Sequence, residues 1–377
     1  MTTSPRRIVV KCGTRLLTGD RGLNETFIRS IARQIASVRR DGTQVALVTS
    51  GAVAAGRSIV SLDGDGLVMR QVLAAIGQAP LMACYSERFG AEGITVAQAL
   101  LSRADLASRS GYLNARNALN GLLDADVLAI ANENDVVATE ELRFGDNDAL
   151  SVLIAKLIGA DRLCLLSNTE GMFTADPGLD GSAELIPDLS EVPFEELERI
   201  AGDASDGGSG GMRSKVRAVL EAASDGIDAV IADGNAPDVL VRIERGEQVG
   251  TRSGSRGPVR SSRARWLSSS LAQRGEIIVD LGARRAIVDG GRSLLPAGMV
   301  AVEGEFERGD LVAVRDSGRV VFARGLVNYD ATDLRRLVGL PSDAIAMVLG
   351  FSNGAEVVHR NNLVVMEHND GDTGQAT

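Results

Sequence analysis

Over its first ~235 residues the chain alternates short apolar runs with stretches whose apolar positions recur every third or fourth residue. The short runs predict strands at Ile8–Lys11, Val45–Thr49, Ile94–Ala97, Val127–Ala131, Leu163–Leu166 and Ala229–Ile231. Helical spacing between them predicts helices around residues 68–88, 112–124, 147–158, 195–201 and 212–225. One further helix is bounded by its own signals: Asn24 can cap it, Ile28, Ile31, Ile35 and Val38 share one face, and Gly42 closes it. Alternating strands and helices predict an α/β fold, a three-layer αβα sandwich around a mostly parallel sheet. Residues 202–211 are glycine-rich and lack a core pattern, so they read as a surface loop.

The rhythm breaks at residues 252–265, RSGSRGPVRSSRAR, where serine, glycine, proline and five arginines replace apolar periodicity. Beyond it the pattern becomes short strands with glycine turns: EIIVD, AIVDGG, VAVEGEF, DLVAV and VVFARGLVNY. The expected organisation is a larger domain over 1–252, a linker over 253–270, a small β-rich domain over 271–366 and a polar, disordered tail over 367–377.

Composition narrows the function classes. A hydrophobic fraction of 44% supports a large core, and a net charge of −10 argues against nonspecific attraction to nucleic acid or anionic membranes. Residues 275–360 hold ten arginines against twelve carboxylates, without the basic footprint that RNA binding needs. No apolar run approaches the ~18 residues that span a bilayer, and the N-terminus lacks a signal-peptide core, so a cytoplasmic protein is expected. Cys12, Cys84 and Cys164 lie far apart and form neither a disulfide framework nor a cysteine zinc site. The two histidines, His359 and His368, lie near the C-terminus, so the larger domain has no Ser-His or Cys-His pair. Its chemistry must rest on lysine, carboxylates, amides and backbone. Of 40 basic residues only Lys11, Lys156 and Lys215 are lysines. A lysine in so arginine-rich a chain marks a place that needs a compact ammonium.

Ligands of open α/β sheets bind beyond the carboxyl ends of the strands. Those ends read VKCGT, VTSGA, NENDVVAT and LLSNTEG, and GDNDALS opens a helix beside them. Lys11 stands at the first strand end, with Gly13 close behind to let a backbone N–H approach a phosphate. Lys215 ends GGSGGMRSK, whose glycines can form an anion-binding nest although their spacing is not that of a P-loop. The GxGxxG dinucleotide fingerprint is missing from the first strand–helix turn. Asp146, Asn147 and Asp148 in series exceed what capping one helix needs. Asn132, Asn134 and Asp135 raise the same question at another strand end.

The ordered set VKCGTRLLTG, VTSGAVAAG, LLDADV, NENDVVAT, GDNDALS, TADP and GSGGMRSK resembles the amino-acid kinase family, in particular its glutamate-phosphorylating members of proline synthesis. GEIIVD, GGRSLLPAG and GEFERGD resemble the PUA domain fused to many of them. The resemblance implies transfer of a phosphoryl group from ATP, with Mg²⁺, to the γ-carboxylate of L-glutamate. A carboxylate of pKa ~4.3 is already ionised and needs no general base. By resemblance Lys11 and Lys215 supply positive charge to the transferred group, and Asp148 holds the two ammonium groups. Ser50, Asp135 and Asn147 match the glutamate-binding positions. The nucleotide is expected against Lys11, Gly13, Ser167, Asn168, Ser209, Gly210, Gly211, Met212, Arg213, Ser214 and Lys215. The family further implies a homo-oligomer and feedback by proline. Ser167-Asn168 stands where members commonly carry Thr-Asp, removing one negative charge beside the nucleotide. Cys12 stands where an apolar residue is usual, and Lys156 reads as a surface lysine. Two alternatives are a kinase for another acidic amino acid and an RNA-binding protein acting through its PUA-like domain.

Overall fold

Ile8, Val9, Val10 and Cys12 expose no surface, as a strand covered on both faces of a sheet requires. The computed structural model describes residues 5–19, 22–62, 66–138, 147–201, 211–254, 273–318 and 320–366. Its described residues divide into two compact units, the first holding those up to Ser108 and from Asn114 to Gly254, the second Arg109–Leu113 and those from Gln273 onward.

In the first unit the strands are β1 (Arg7–Cys12), the two-residue pair β2 (Thr18–Gly19) and β3 (Gly22–Leu23), β4 (Gln44–Val48), β5 (Val96–Leu101), β6 (Leu128–Glu133), β7 (Arg162–Ser167), β8 (Asp228–Asp233) and β9 (Thr251–Ser253). The helices are α1 (Thr14–Leu17), α2 (Glu25–Arg40), α3 (Ala52–Arg57), α4 (Leu67–Gly90), α5 (Arg103–Ala107), α6 (Arg109–Asp124), α7 (Asn147–Ile158), α8 (Phe194–Ile200), α9 (Met212–Ser224) and α10 (Val239–Glu244). Seven strands form one sheet in the order β5-β6-β4-β1-β7-β8-β9, parallel except for β9. Ile8, Val10 and Cys12 pack with α2, α4 and α10 in one core. The alternate face of β1, with Val9 and Lys11, lies toward α7, which packs in turn on α9. The result is the expected three-layer sandwich.

Local signals placed these elements well. Asn24 Oδ1 accepts from Phe27 N at 3.1 Å, and Gly42 takes φ +86° just past α2. Three readings change. The edge strand lies at Val96–Leu101 rather than Ile94–Ala97. Arg252 and Ser253, at the expected linker start, instead pair antiparallel with β8; the rest of that segment from 255 lies outside the described residues, as does the tail from 367. Leu67–Gly90 is long and apolar enough to cross a bilayer, contrary to the expectation from apolar runs. One stripe of it, Leu73, Ala74, Gly77, Leu81, Tyr85 and Phe89, is buried, while Val68 and Val72 are exposed. Its first half runs in backbone contact with α3: a Cβ on Gly77 would lie 1.8 Å from the Ala52 carbonyl oxygen, and one on Gly56 would lie 2.0 Å from that of Leu73.

The second unit is a five-stranded sheet ordered β11-β10-β12-β13-β14, from β10 (Gly275–Val279), β11 (Met299–Gly304), β12 (Leu311–Asp316), β13 (Val321–Leu326) and β14 (Leu363–Val365). Its core includes Ile277, Val312, Val314, Phe322 and Tyr329. AIVDGG is not a strand: Leu281–Val288 forms helix α11, capped by Asp280, whose Oδ1 accepts from Ala283 N at 2.7 Å.

Candidate active site

The carboxyl ends of β1, β4, β6 and β7 meet the first turns of α7 and α9 around a cavity of about 830 Å³. That volume is in the range of small-ligand sites. Lys11 lies on the central strand and is only 4% exposed. Asp148 opens α7 and is wholly buried, and Lys215 lies in the first turn of α9 at 6% exposure. The three side chains converge. Lys11 Nζ is 2.5 Å from Asp148 Oδ1, and Lys215 Nζ is 3.2 Å from Asp148 Oδ2. Ser214 Oγ donates to the same Oδ2 at 2.8 Å. Burial alone would raise the Asp148 carboxyl. The two ammonium groups and the hydrogen bonds from Lys11 and Ser214 outweigh it and hold the pKa below the usual carboxylate value. The trio carries one positive charge in excess, and both lysines line the cavity.

A second group of residues surrounds the other part of the cavity. Ser50, Asp135 and Asn147 all line it. Asn147 Nδ2 donates to the Thr49 carbonyl oxygen at 2.5 Å, Asn132 Oδ1 at 2.8 Å and Ser50 Oγ at 3.0 Å. Beneath them Thr49 Oγ1 lies 2.7 Å from the hydroxyl of the fully buried Tyr85. Gly51, at φ +93°, turns the chain from β4 into α3.

Of the residues expected at the nucleotide, Gly13, Ser167, Asn168, Gly211 and Met212 line the cavity with the two lysines. Gly13 N donates to the Leu166 carbonyl oxygen at 3.1 Å, holding β1 against β7. Arg213 and Ser214 are not in the lining; Ser214 instead supports Asp148. Ser209, Gly210 and Asp146 lie outside the described residues. Lys156 is half-buried rather than a free surface lysine, with Nζ 2.6 Å from both Glu221 and Asp225, so it ties α7 to α9. Sequence reasoning raised Asn132 without placing it in the site, and it missed Thr49 and Tyr85. The strand-end position of Asn132 was the available signal. Thr49 acts through a backbone oxygen, which no residue type announces.

Known proteins resemble this chain over nearly its whole length. The model of the Amino acid kinase family matches residues 6–233, and that of the PUA domain matches residues 275–349. The chain is 45% identical over 368 residues to a protein named Glutamate 5-kinase from Dehalococcoides mccartyi, covering 96% of this chain and 98% of that one. It is 42% identical over 371 residues to the Glutamate 5-kinase of Teredinibacter turnerae, with 97% and 98% covered. For the Glutamate 5-kinase of Burkholderia thailandensis the identity is 44% over 366 residues, with 96% and 98% covered.

Proposed function

Because this chain belongs to the amino acid kinase family, we propose that it transfers the γ-phosphoryl group of ATP to the γ-carboxylate of L-glutamate, giving L-glutamyl 5-phosphate and ADP. This is the opening reaction of proline biosynthesis. The observation that carries the reading is the buried Lys11–Asp148–Lys215 bridge with its excess positive charge. Two ammonium groups held on one carboxylate beside a cavity present net positive charge to an anionic occupant.

A carboxylate oxygen of the substrate attacks Pγ, and the bond from Pγ to the β,γ-bridging oxygen breaks, its electron pair leaving with ADP. No proton is moved, so the lack of histidine in this unit costs nothing. The work left to the protein is alignment and charge. Lys11 and Lys215 face the transferred group, while Asp148 fixes both ammonium groups before substrate arrives, as preorganised stabilisation requires. Ser50, Asp135 and Asn147 hold glutamate. Gly13, Ser167, Asn168, Gly211 and Met212 flank the nucleotide. Among the described residues no group of three or more His, Cys, Asp or Glu side chains could hold a metal ion. A Mg²⁺ ion would therefore be carried by phosphate oxygens and water, and no step is assigned to it.

Trapping the acyl phosphate with hydroxylamine tests the reading across glutamate, aspartate and N-acetylglutamate. Hydroxamate from glutamate, dependent on ATP, is the expected result. Hydroxamate only from one of the other acids would replace the substrate assignment.

A further inference from the structure

Just past the end of β7 the chain leaves the sheet, and it returns near Asp188, which bridges Arg252 of β9. The segment between lines the cavity with Met172, Phe173, Ala175 and Pro177. It has little pairing of its own: Phe173 bridges Leu185, and Thr174 N donates to the Glu184 carbonyl oxygen at 2.9 Å. At its base Met172 stands opposite Ile186. A hydrogen-bonded antiparallel pair exchanges two main-chain bonds. Here one is direct, from Ile186 N to the Met172 carbonyl oxygen at 2.8 Å. The other is relayed by Thr251: Met172 N donates to its Oγ1 at 2.8 Å, and Oγ1 donates to the Ile186 carbonyl oxygen at 2.7 Å. A hydroxyl has one proton and two lone pairs, so it fills both roles at once, as no apolar side chain can. Thr251 pairs with Ile231 of β8 and exposes no surface. Gly171 makes room for it, since a Cβ there would lie 2.4 Å from Thr251 Oγ1.

We propose that Thr251 is a positioning residue for the nucleotide: its hydroxyl relay lets the edge strand β9 fix the Met172–Ile186 segment as a wall of the nucleotide part of the cavity. The inference rests on the ATP reading and extends it to a residue outside the cavity lining. The segment follows Ser167 and Asn168 in the chain, and its apolar side chains offer a surface on which a flat heteroaromatic base packs. Without the hydroxyl, the Met172 N–H and the Ile186 carbonyl lose their shared partner at the base of the segment. The segment then opens more readily, and nucleotide binding must restore its order. Ser50, Asp135 and Asn147 come from the ends of β4 and β6 and the start of α7, so the effect should fall on ATP and spare glutamate.

Thr251→Val and Thr251→Ala remove the hydroxyl, the first with little change of shape, whereas Thr251→Ser keeps it. By hydroxamate formation, KM for ATP should rise about tenfold in the valine and alanine variants, with KM for glutamate and kcat within about twofold and the serine variant close to wild type. An unchanged KM for ATP, a KM for glutamate that rises in step with it, or a serine variant as impaired as the valine one overturns the proposal. The wild-type chain gives a second readout that needs neither variant nor turnover. Hydrogen exchange in residues 172–186 should slow when AMP-PNP, a non-hydrolysable ATP analogue, is added, and stay unchanged with glutamate alone. Exchange that ignores AMP-PNP overturns the proposal even if the valine variant does not fold. Slowed exchange in a wild-type chain that forms no hydroxamate from glutamate overturns the substrate proposed above and supports this inference.

Discussion

Lys11 Nζ lies 2.5 Å from Oδ1 of Asp148, a carboxylate with no exposed surface. The two residues come from different layers, the central strand and the first turn of a covering helix, and are brought together by the packing of α7 on β1. Lys215 reaches the other oxygen of the same carboxylate from α9, so one anion sets the spacing of two cations. Lys156 supports that arrangement two turns further along α7, where it clasps α9 through Glu221 and Asp225.

Replacing Lys215 with arginine tests whether the site needs an ammonium or only a charge. Arg keeps the pairing with Asp148, so the fold should survive. Its wide planar fork cannot occupy the space of a residue that is 6% exposed without displacing the group it should meet. A loss of about 100-fold in kcat is expected, the scale of removing one preorganised donor. Hydroxamate kinetics alongside thermal unfolding check this. Turnover within a few-fold of wild type would remove Lys215 from the chemistry.

Asp148→Asn should cost both stability and activity, because it leaves two buried ammonium groups without their anion, at about 3–5 kcal/mol. The pH dependence carries a sign. Folding lowers the Asp148 pKa below 3.8, so in acid the unfolded chain binds the extra proton first. The stabilisation from ionised Asp148 is therefore complete above 3.8 and is lost as pH falls through the lower folded-state value. Urea midpoints of wild type and variant should differ by a constant gap around neutrality, and the gap should narrow only in acid. A gap that closes between neutral and mildly alkaline pH would contradict the ionised bridge.

The central strands were legible because both faces are covered, so Ile8–Val10 and Leu163–Leu166 read as unbroken apolar runs. The edge strand Val96–Leu101 was displaced in the reading because half-buried residues there blur the pattern. Leu281–Val288 passed for a strand because a short run such as Ala286–Val288 fits either period, even though the Asp280 cap stood just before it. In the site, the scarcity of lysine singled out Lys11 and Lys215, and the surplus of capping residues singled out Asn147 and Asp148. The Tyr85 hydroxyl under Thr49 had no such signal, since a tyrosine on an apolar helix stripe reads as core and only the fold brings it to β4.

Gly77→Ala separates propensity from packing. In an exposed helix interior, alanine for glycine stabilises by about 1 kcal/mol. Here the added Cβ would lie 1.8 Å from the Ala52 carbonyl oxygen and 2.5 Å from Gly56 N, both backbone atoms that cannot rotate away. α3 and α4 must then part, and α3 begins directly after Ser50 and Gly51. Destabilisation of about 1–3 kcal/mol is expected, with a raised KM for glutamate as Ser50 shifts. Denaturant unfolding decides the sign, and a stabilised variant would refute the contact.

Cys12 is the immediate neighbour of Lys11, and an adjacent cation usually activates a thiol. The strand prevents this. Successive side chains point to opposite faces, so Cys12 faces the core of Leu16, Phe27 and Leu166 while Lys11 faces α7. Burial pushes the Cys12 thiol up to about 12, and the Lys11 ammonium offsets only part of that rise. Cys164 is likewise pushed by burial to about 12. Cys84, on α4, is half-buried, and its thiol is raised by burial and by Glu25. Iodoacetamide applied to the native protein at mildly alkaline pH should therefore mark Cys84 first, slowly, and leave Cys12 and Cys164 unmodified, whereas all three should react in urea. Peptide mapping by mass spectrometry reads the result. Alkylation of Cys12 ahead of Cys84 would mean that the thiol faces the lysine side of β1, and the placement of Lys11 in the cavity would fall with it.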